Sequence, residues 1–197
     1  MTEITDPLEA LFEVIDVLEE LGVAYAVGGS VASSVFGEPR ATADADVLIE
    51  LSEENLPRLL AALGDKFYVP EDAARSAVRR GSSFNIIHSN TTYKVDVFIA
   101  GTGSLDRDQL ARRTDVVIAR EPERRAWLTA PENIVLRKLD WYRQGGGTSD
   151  RQWRDVLGVL KVQAGRLDTD YLRGAAQSAR LTELLERALR ESGLETD

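Results

Sequence analysis

The chain has 197 residues, no cysteine and one histidine, and its 33 acidic against 24 basic side chains leave a formal net charge of −9. That length suits one good-sized core, or one domain with a helical extension. Without cysteine there are no disulfides, no thiolate metal sites and no cysteine nucleophile, and the lone His88 excludes a His-rich metal site and argues against a Ser-His-Asp triad. The acidic MTEITDPLEA start lacks a positive-then-apolar leader and no apolar run approaches the roughly 18 residues of a membrane span, so a soluble, cytoplasmic protein with no membrane partner is expected.

Taken in order, Asp6-Pro7-Leu8-Glu9 reads as a helix start, with Asp6 as cap and Pro7 at the first helical position. Leu8, Leu11, Phe12, Ile15, Leu18 and Leu21 then recur at helical spacing until Gly22 stops them. Residues 23–27 form a short apolar strand, Gly28-Gly29-Ser30 a turn, and residues 31–36 a short helix broken by Gly37-Glu38-Pro39. Residues 42–51 alternate as a strand does, with Asp44, Asp46, Leu48 and Glu50 on one face and Ala45, Val47, Ile49 and Leu51 on the other.

A helix from Ser52 to about Leu63, a strand over 66–69 and a helix over 71–80 follow. Residues 83–88 and 93–100 read as a hairpin around Ser89-Asn90-Thr91-Thr92, and the second strand sends Lys94, Asp96 and Phe98 to one face. A short helix over 106–113 and a strand pair over 116–119 and 126–129 precede four helices over 131–144, 150–164, 169–178 and 182–192. The expected fold class is α+β, a mixed sheet flanked by helices, with residues 1–130 as the core and residues 131–197 as a helical subdomain that completes a cleft.

The Gly-Gly-Ser turn lets backbone approach a phosphate closely, and the helix after it offers oriented amides and a hydroxyl from Ser30; the same two glycines also suit a plain tight turn. Asp44 and Asp46 make a stronger geometric claim, because same-face carboxylates two apart on a strand can jointly hold a hard cation such as Mg²⁺ or Mn²⁺. Asp96, polar among strand formers, is the candidate third carboxylate, able to bind metal or take an acceptor proton. Lys138 interrupts the apolar arc of Ile134, Val135, Trp141 and Tyr142, and Asp155 falls between Val159 and Val162 on the inward face of the next helix. Either the two form an internal ion pair, or they point a cation and an acid into a cleft over the metal site.

These residues resemble those of the nucleotidyltransferase-fold proteins, most of all the abortive-infection, type IV toxin (AbiEii-like) group that includes the mycobacterial nucleotidyltransferase toxins. The resemblance spans residues 23–160. It rests on Gly28-Gly29-Ser30, Arg40-x-Thr42-x-Asp44-x-Asp46, Asp96 in a Val-Asp-Val strand, Pro131-Glu132-Asn133 with Lys138-Leu139, and Trp153-Arg154-Asp155. It implies that Gly28, Gly29 and Ser30 hold the phosphates of a nucleoside triphosphate, that Asp44, Asp46 and Asp96 bind Mg²⁺ or Mn²⁺, and that Arg40, Lys138 and Asp155 complete the nucleotide pocket. The implied reaction is metal-dependent transfer of a nucleoside monophosphate from the triphosphate to a hydroxyl. Ala43 and the run Asp150–Arg154 depart from the family pattern, so the acceptor is not carried over.

An RNA 3′ end such as that of tRNA, with a cognate antitoxin as partner, is one expected acceptor. A small antibiotic-like molecule or a protein side chain is the other, and a nucleotide-binding or partner-binding module without activity is the non-enzymatic reading. Charge distribution supports both acceptors: residues 1–74 carry 3 basic against 16 acidic groups, whereas residues 75–154 carry 15 against 9. The acidic part would welcome a cationic small molecule, and the basic middle third an RNA end.

Overall fold

The computed structural model describes residues 7–194. The expected Asp6 cap lies outside them. Among the described residues the chain runs α1 (Pro7–Glu20), β1 (Tyr25–Val27), α2 (Gly29–Phe36), β2 (Asp44–Ile49), α3 (Leu56–Leu63), β3 (Phe67–Tyr68), α4 (Glu71–Arg80), β4 (Ser83–His88) and β5 (Lys94–Ile99). It continues through α5 (Ser104–Ala111), β6 (Thr114–Arg120), β7 (Glu123–Leu128), α6 (Pro131–Gln144), α7 (Asp150–Val162), α8 (Thr169–Ser178) and α9 (Thr182–Ser192). This is the mixed, helix-flanked sheet expected from the sequence.

The seven strands stand in the order β3-β4-β5-β2-β1-β7-β6. Two neighbouring pairs are parallel, β2 with β5 and β1 with β7, and the rest are antiparallel. Alternation along the central strands separates two faces. Val27, Ala45, Val47, Ile49, Val95, Val97 and Ile99 belong to the main core, where α1 contacts β2, β5 and α3. On the opposite face Ala26 and Leu48 meet Leu110 of α5, with Phe98 and Ala100 beside them. Asp44, Asp46, Lys94 and Asp96 share this second, thinly covered face by strand period.

The last four helices share the main core, which runs without a break from Leu11 and Ile15 to Leu185 and Leu189. Helix α7 comes close enough to α2 that a Cβ on Gly37 would lie 2.8 Å from the backbone N of Val159 and 2.8 Å from the carbonyl O of Ser33. At the same junction Gln163 Nε2 donates to the free Phe36 carbonyl at 2.8 Å, closing the end of α2.

Element ends moved where tertiary partners decide them. The strand expected over 42–51 is hydrogen-bonded only over Asp44–Ile49, and α2 begins at Gly29 rather than Val31, so Gly29 and Ser30 form its first turn. β6 and β7 are longer than expected because they pair with each other over their whole length, from Thr114 opposite Leu128 to Arg120 opposite Glu123. Val162, expected to face inward beside Asp155, is 45% exposed, while Val159 is fully buried.

Candidate active site

Strands β2 and β5 lie parallel with Asp46 opposite Asp96 and Asp44 opposite Lys94. That register, set by the apolar residues on the core face, brings three carboxylates from two distant stretches of sequence to one patch. Asp46 is fixed further. Its backbone carbonyl accepts from Gly28 N at 2.8 Å, and its carboxylate lies over Gly29 in the first turn of α2, where the Ser30 backbone N–H favours its charged form. An acid at that helix end is favoured by the unpaired amides and the positive pole of the helix.

The carboxylates nevertheless repel one another. Burial pushes the Asp46 carboxyl above its ordinary range, and the neighbouring Asp44 and Asp96 charges push it further, against the pull of Lys138 and the Ser30 amide. Asp44 Oδ1 accepts a hydrogen bond from Thr42 Oγ1 at 3.1 Å. Asp96 Oδ2 pairs with Lys94 Nζ at 2.9 Å, and this contact, with Asp44 and Asp46 nearby, holds the Lys94 ammonium above its usual range.

Opposite the sheet stands a second charged group. Lys138 of α6 is 2% exposed, and its Nζ lies 2.7 Å from Asp155 Oδ2 of α7 and 3.1 Å from Gln152 Oε1. Arg40 clasps the same carboxylate, Nε to Oδ1 at 3.0 Å and Nη2 to Oδ2 at 3.1 Å, and also donates to the Ser30 hydroxyl. Burial opposes the Asp155 charge, but Arg40 and Lys138 outweigh it and hold the carboxyl below its ordinary range. Burial lowers the Lys138 ammonium, with Asp155 pulling the other way.

The ion-pair reading of Lys138 and Asp155 is therefore what the structure contains. Lys138 also lines a cleft of about 220 Å³ together with Gly28, Gly29, Asp46, Leu48, Phe98, Thr129, Ile134 and Trp141. Arg40 grips Asp155 and Ser30 from the loop that leads into β2, so it ties α2 to α7.

Of the expected site residues, Gly28, Gly29, Asp46 and Lys138 line this cleft, whereas Arg40 and Asp44 line a second pocket beside Val31 and Ile118. Asp44, Asp46 and Asp96 share one sheet face without converging on one point. Gly28, Gly29 and Ser30 lie at the start of α2, and Arg40, Lys138 and Asp155 form one ion-pair cluster. The sequence reading missed several neighbours. Lys94, on the Asp96 face of β5, is paired with Asp96. Thr129 Oγ1, in the cleft wall, is buried without a hydrogen-bond partner. Phe98 and Trp141, rings 6.0 Å apart, line the same cleft, as does the Asp106–Arg137 ion pair. The Lys94-Asp96-Phe98 alternation and the helical arc that joins Trp141 to Lys138 point to three of these; Thr129 and the Asp106–Arg137 pair reach the cleft only through tertiary packing.

The basic middle third is also altered by folding. Arg75 pairs with Glu71, Arg79 with Glu53, Arg112 with Asp168, Arg124 with Asp16 and Arg125 with Asp115.

Among the described residues no three carboxylate or imidazole groups stand in the geometry of a bound ion. The donor chemistry still fits a hard divalent cation: three carboxylates within electrostatic reach, no soft ligand, and an Asp46 charge raised in energy by its neighbours. No helix among the described residues is long and apolar enough to cross a membrane.

No protein-family model matches the sequence, and no curated protein does. Solved structures do match the fold. A nucleotidyltransferase-like antigenic protein from Paracoccidioides brasiliensis is 19% identical with a TM-score of 0.55, covering 94% of this chain and 93% of that one. The lincosamide antibiotic adenylyltransferase LnuA, solved with lincomycin, is 13% identical with a TM-score of 0.51, over 82% of this chain and 99% of its own. The antibiotic-resistance factor ANT(2'')-Ia is 11% identical with a TM-score of 0.56, over 93% and 97%. At these identities the likeness concerns the backbone alone: the chain has a nucleotidyltransferase fold.

Proposed function

We propose that this protein transfers a nucleoside monophosphate from a nucleoside triphosphate to an acceptor hydroxyl, releasing pyrophosphate. The observation that carries this reading is the in-register placement of Asp46 and Asp96 on parallel strands, directly beside the first turn of α2. In this reading Asp44 and Asp46 hold Mg²⁺ or Mn²⁺, and Asp96 either joins them or accepts the acceptor's proton. Gly28, Gly29 and Ser30 receive the triphosphate, and Lys138 faces its charge from α6. Arg40 and Asp155 position Ser30 and Lys138.

When bound, the divalent ion supplies charge neutralisation at the α-phosphate and the departing pyrophosphate. The chain's own task is to bring the acceptor oxygen in line with the phosphorus, so that the new O–P bond forms as the bond to pyrophosphate breaks. Residues 1–130 then make the transferase core and residues 131–197 the helical cap over it.

Two acceptor readings have support. An RNA 3′ end, in a toxin of the AbiEii-like kind held by an antitoxin, is supported by the resemblance of the site motifs. A small antibiotic-like acceptor is supported by the aromatic-walled cleft beside Asp46 and by the likeness in fold to antibiotic adenylyltransferases.

The deciding experiment offers labelled ATP, CTP, GTP and UTP in turn with total tRNA, with an aminoglycoside, with a lincosamide and with no acceptor. Label should pass to one acceptor class in the wild type and to none in an Asp44→Asn, Asp46→Asn double variant. Transfer that persists unchanged in the double variant would overturn the reading. Calorimetry that finds nucleotide binding without turnover on any acceptor would favour the inactive module.

A further inference from the structure

Lys94 is paired with Asp96 and acts on Asp44 and Asp46 as well. It lies two residues before Asp96 on β5, on the same face, and stands opposite Asp44 in the parallel ladder. Its Nζ holds Asp96 Oδ2 at 2.9 Å, and both side chains keep some exposure, 36% and 19%. Lys138, the other cation facing this patch, is committed to Asp155 and Gln152.

We propose that Lys94 is an internal counter-ion for the carboxylate cluster, holding Asp96 in a cation's stead and yielding it only to a divalent ion accompanied by the triphosphate. The inference rests on the reading of Asp44, Asp46 and Asp96 as the metal-binding acids. Three observations support it. Asp96, though in register with Asp46, is turned to an ammonium instead of converging with Asp44 and Asp46 on a shared point. A lysine is a point charge on a flexible stem and can swing aside where a rigid guanidinium fork could not. A part-exposed ion pair is weak enough to be displaced by a doubly charged ion, provided other ligands help.

Phosphate oxygens are those other ligands, since Mg²⁺ and Mn²⁺ bind few protein carboxylates and complete their shells with phosphate and water. The bare protein thus competes with the metal for Asp96, whereas the metal–triphosphate complex wins. The consequence is an order of binding: metal arrives with nucleotide, and the free protein does not collect divalent ions on its acidic half.

The test is a titration of Mn²⁺ alone, with free ion followed by its paramagnetic resonance signal. It uses the wild type, Lys94→Met, Lys94→Arg and the Asp44→Asn, Asp46→Asn double variant, with circular dichroism to check folding and Lys94→Gln as a substitute if Lys94→Met is unfolded. Removing one positive charge a few ångströms from the ion should tighten Mn²⁺ binding by about 5- to 10-fold in Lys94→Met, while Lys94→Arg stays near wild type. Binding that appears only in Lys94→Met supports the proposal equally. An unchanged or weaker affinity in a folded Lys94→Met, or equal shifts in Lys94→Met and Lys94→Arg, overturns it while leaving the metal reading intact. If no protein binds Mn²⁺ better than the double aspartate variant even with a non-hydrolysable nucleoside triphosphate present, the metal reading falls and the inference with it.

Discussion

Asp46 Oδ2 stands 1.7 Å from the point a Cβ on residue 29 would occupy, so the carboxylate fills the space that a side chain at Gly29 would need. Gly29 also has φ +52°, in the left-handed region where other residues are strained. The second glycine of the turn is therefore required by the acid of the neighbouring strand, before any phosphate is considered. Its lack of a side chain lets the Asp46 carboxylate lie against the start of α2.

Gly29→Ala should displace Asp46 and strain the turn, at a cost of about 1–3 kcal/mol from the backbone and overpacking together. Urea unfolding would read the loss. Nucleotide binding should fall further than stability alone explains, and a variant with wild-type stability and binding would contradict this account of the turn.

Asp46→Asn and Asp155→Asn should change stability in opposite directions near neutral pH. The Asp46 carboxyl is raised above its ordinary 3.8. Its contribution to folding is present below that value and is lost as pH rises through the folded-state value, so the uncharged Asp46→Asn should be more stable than wild type at pH 7. Near pH 3.5 the gain should vanish. Asp155 is lowered from 3.8; its contribution is present above 3.8 and is lost as pH falls through its lower folded value. Asp155→Asn should be destabilising at pH 7 and progressively less so in acid. Thermal melts from pH 3 to 8 would show both trends.

Asp155→Ala leaves Lys138, 2% exposed, as a buried charge without its carboxylate, and should cost about 3–5 kcal/mol. Replacing both with apolar residues, Lys138→Met with Asp155→Leu, should recover most of that stability, because no buried charge is left unpaired. A double variant as unstable as the sum of its single variants would mean that the pair is not coupled. Nucleotide transfer should be lost in both, which separates the functional use of Lys138 from its structural cost.

Gly37→Ala tests the approach of α7 to α2. A Cβ there would lie 2.8 Å from Val159 N and 2.8 Å from Ser33 O, both backbone atoms that cannot turn aside. A loss of about 1–3 kcal/mol is expected from overpacking, with Arg40 and Asp155 drawn apart. Denaturant midpoints for Gly37→Ala against Gly103→Ala, where no atom lies within 4 Å, would give the comparison.

Much of this was legible along the chain. Strand alternation placed Asp44 with Asp46, and Lys94 with Asp96, and helical periodicity found α4, α6, α8 and α9 to the residue. Lys138 stood out because it interrupts an apolar arc. Ends of β2, β6 and α2 were less legible, since hydrogen bonds to residues far away in sequence decide where pairing stops. Arg40 had no local signal for its grip on Asp155, 115 positions away.

By itself the sequence determined which residues could share a face, because side-chain direction repeats every two residues in a strand and about every 3.6 in a helix. It thereby determined which acids and cations were available for chemistry. Only the tertiary structure decided which faces meet. The β2–β5 register sets Asp46 beside Asp96 and Lys94 beside Asp44. The docking of α6 and α7 turns Lys138 and Asp155 from two oddly placed charges into one buried pair held by Arg40. Pairing register and helix docking are fixed by burial of apolar side chains on the opposite faces, and those contacts join segments too far apart in sequence for any local pattern to show them.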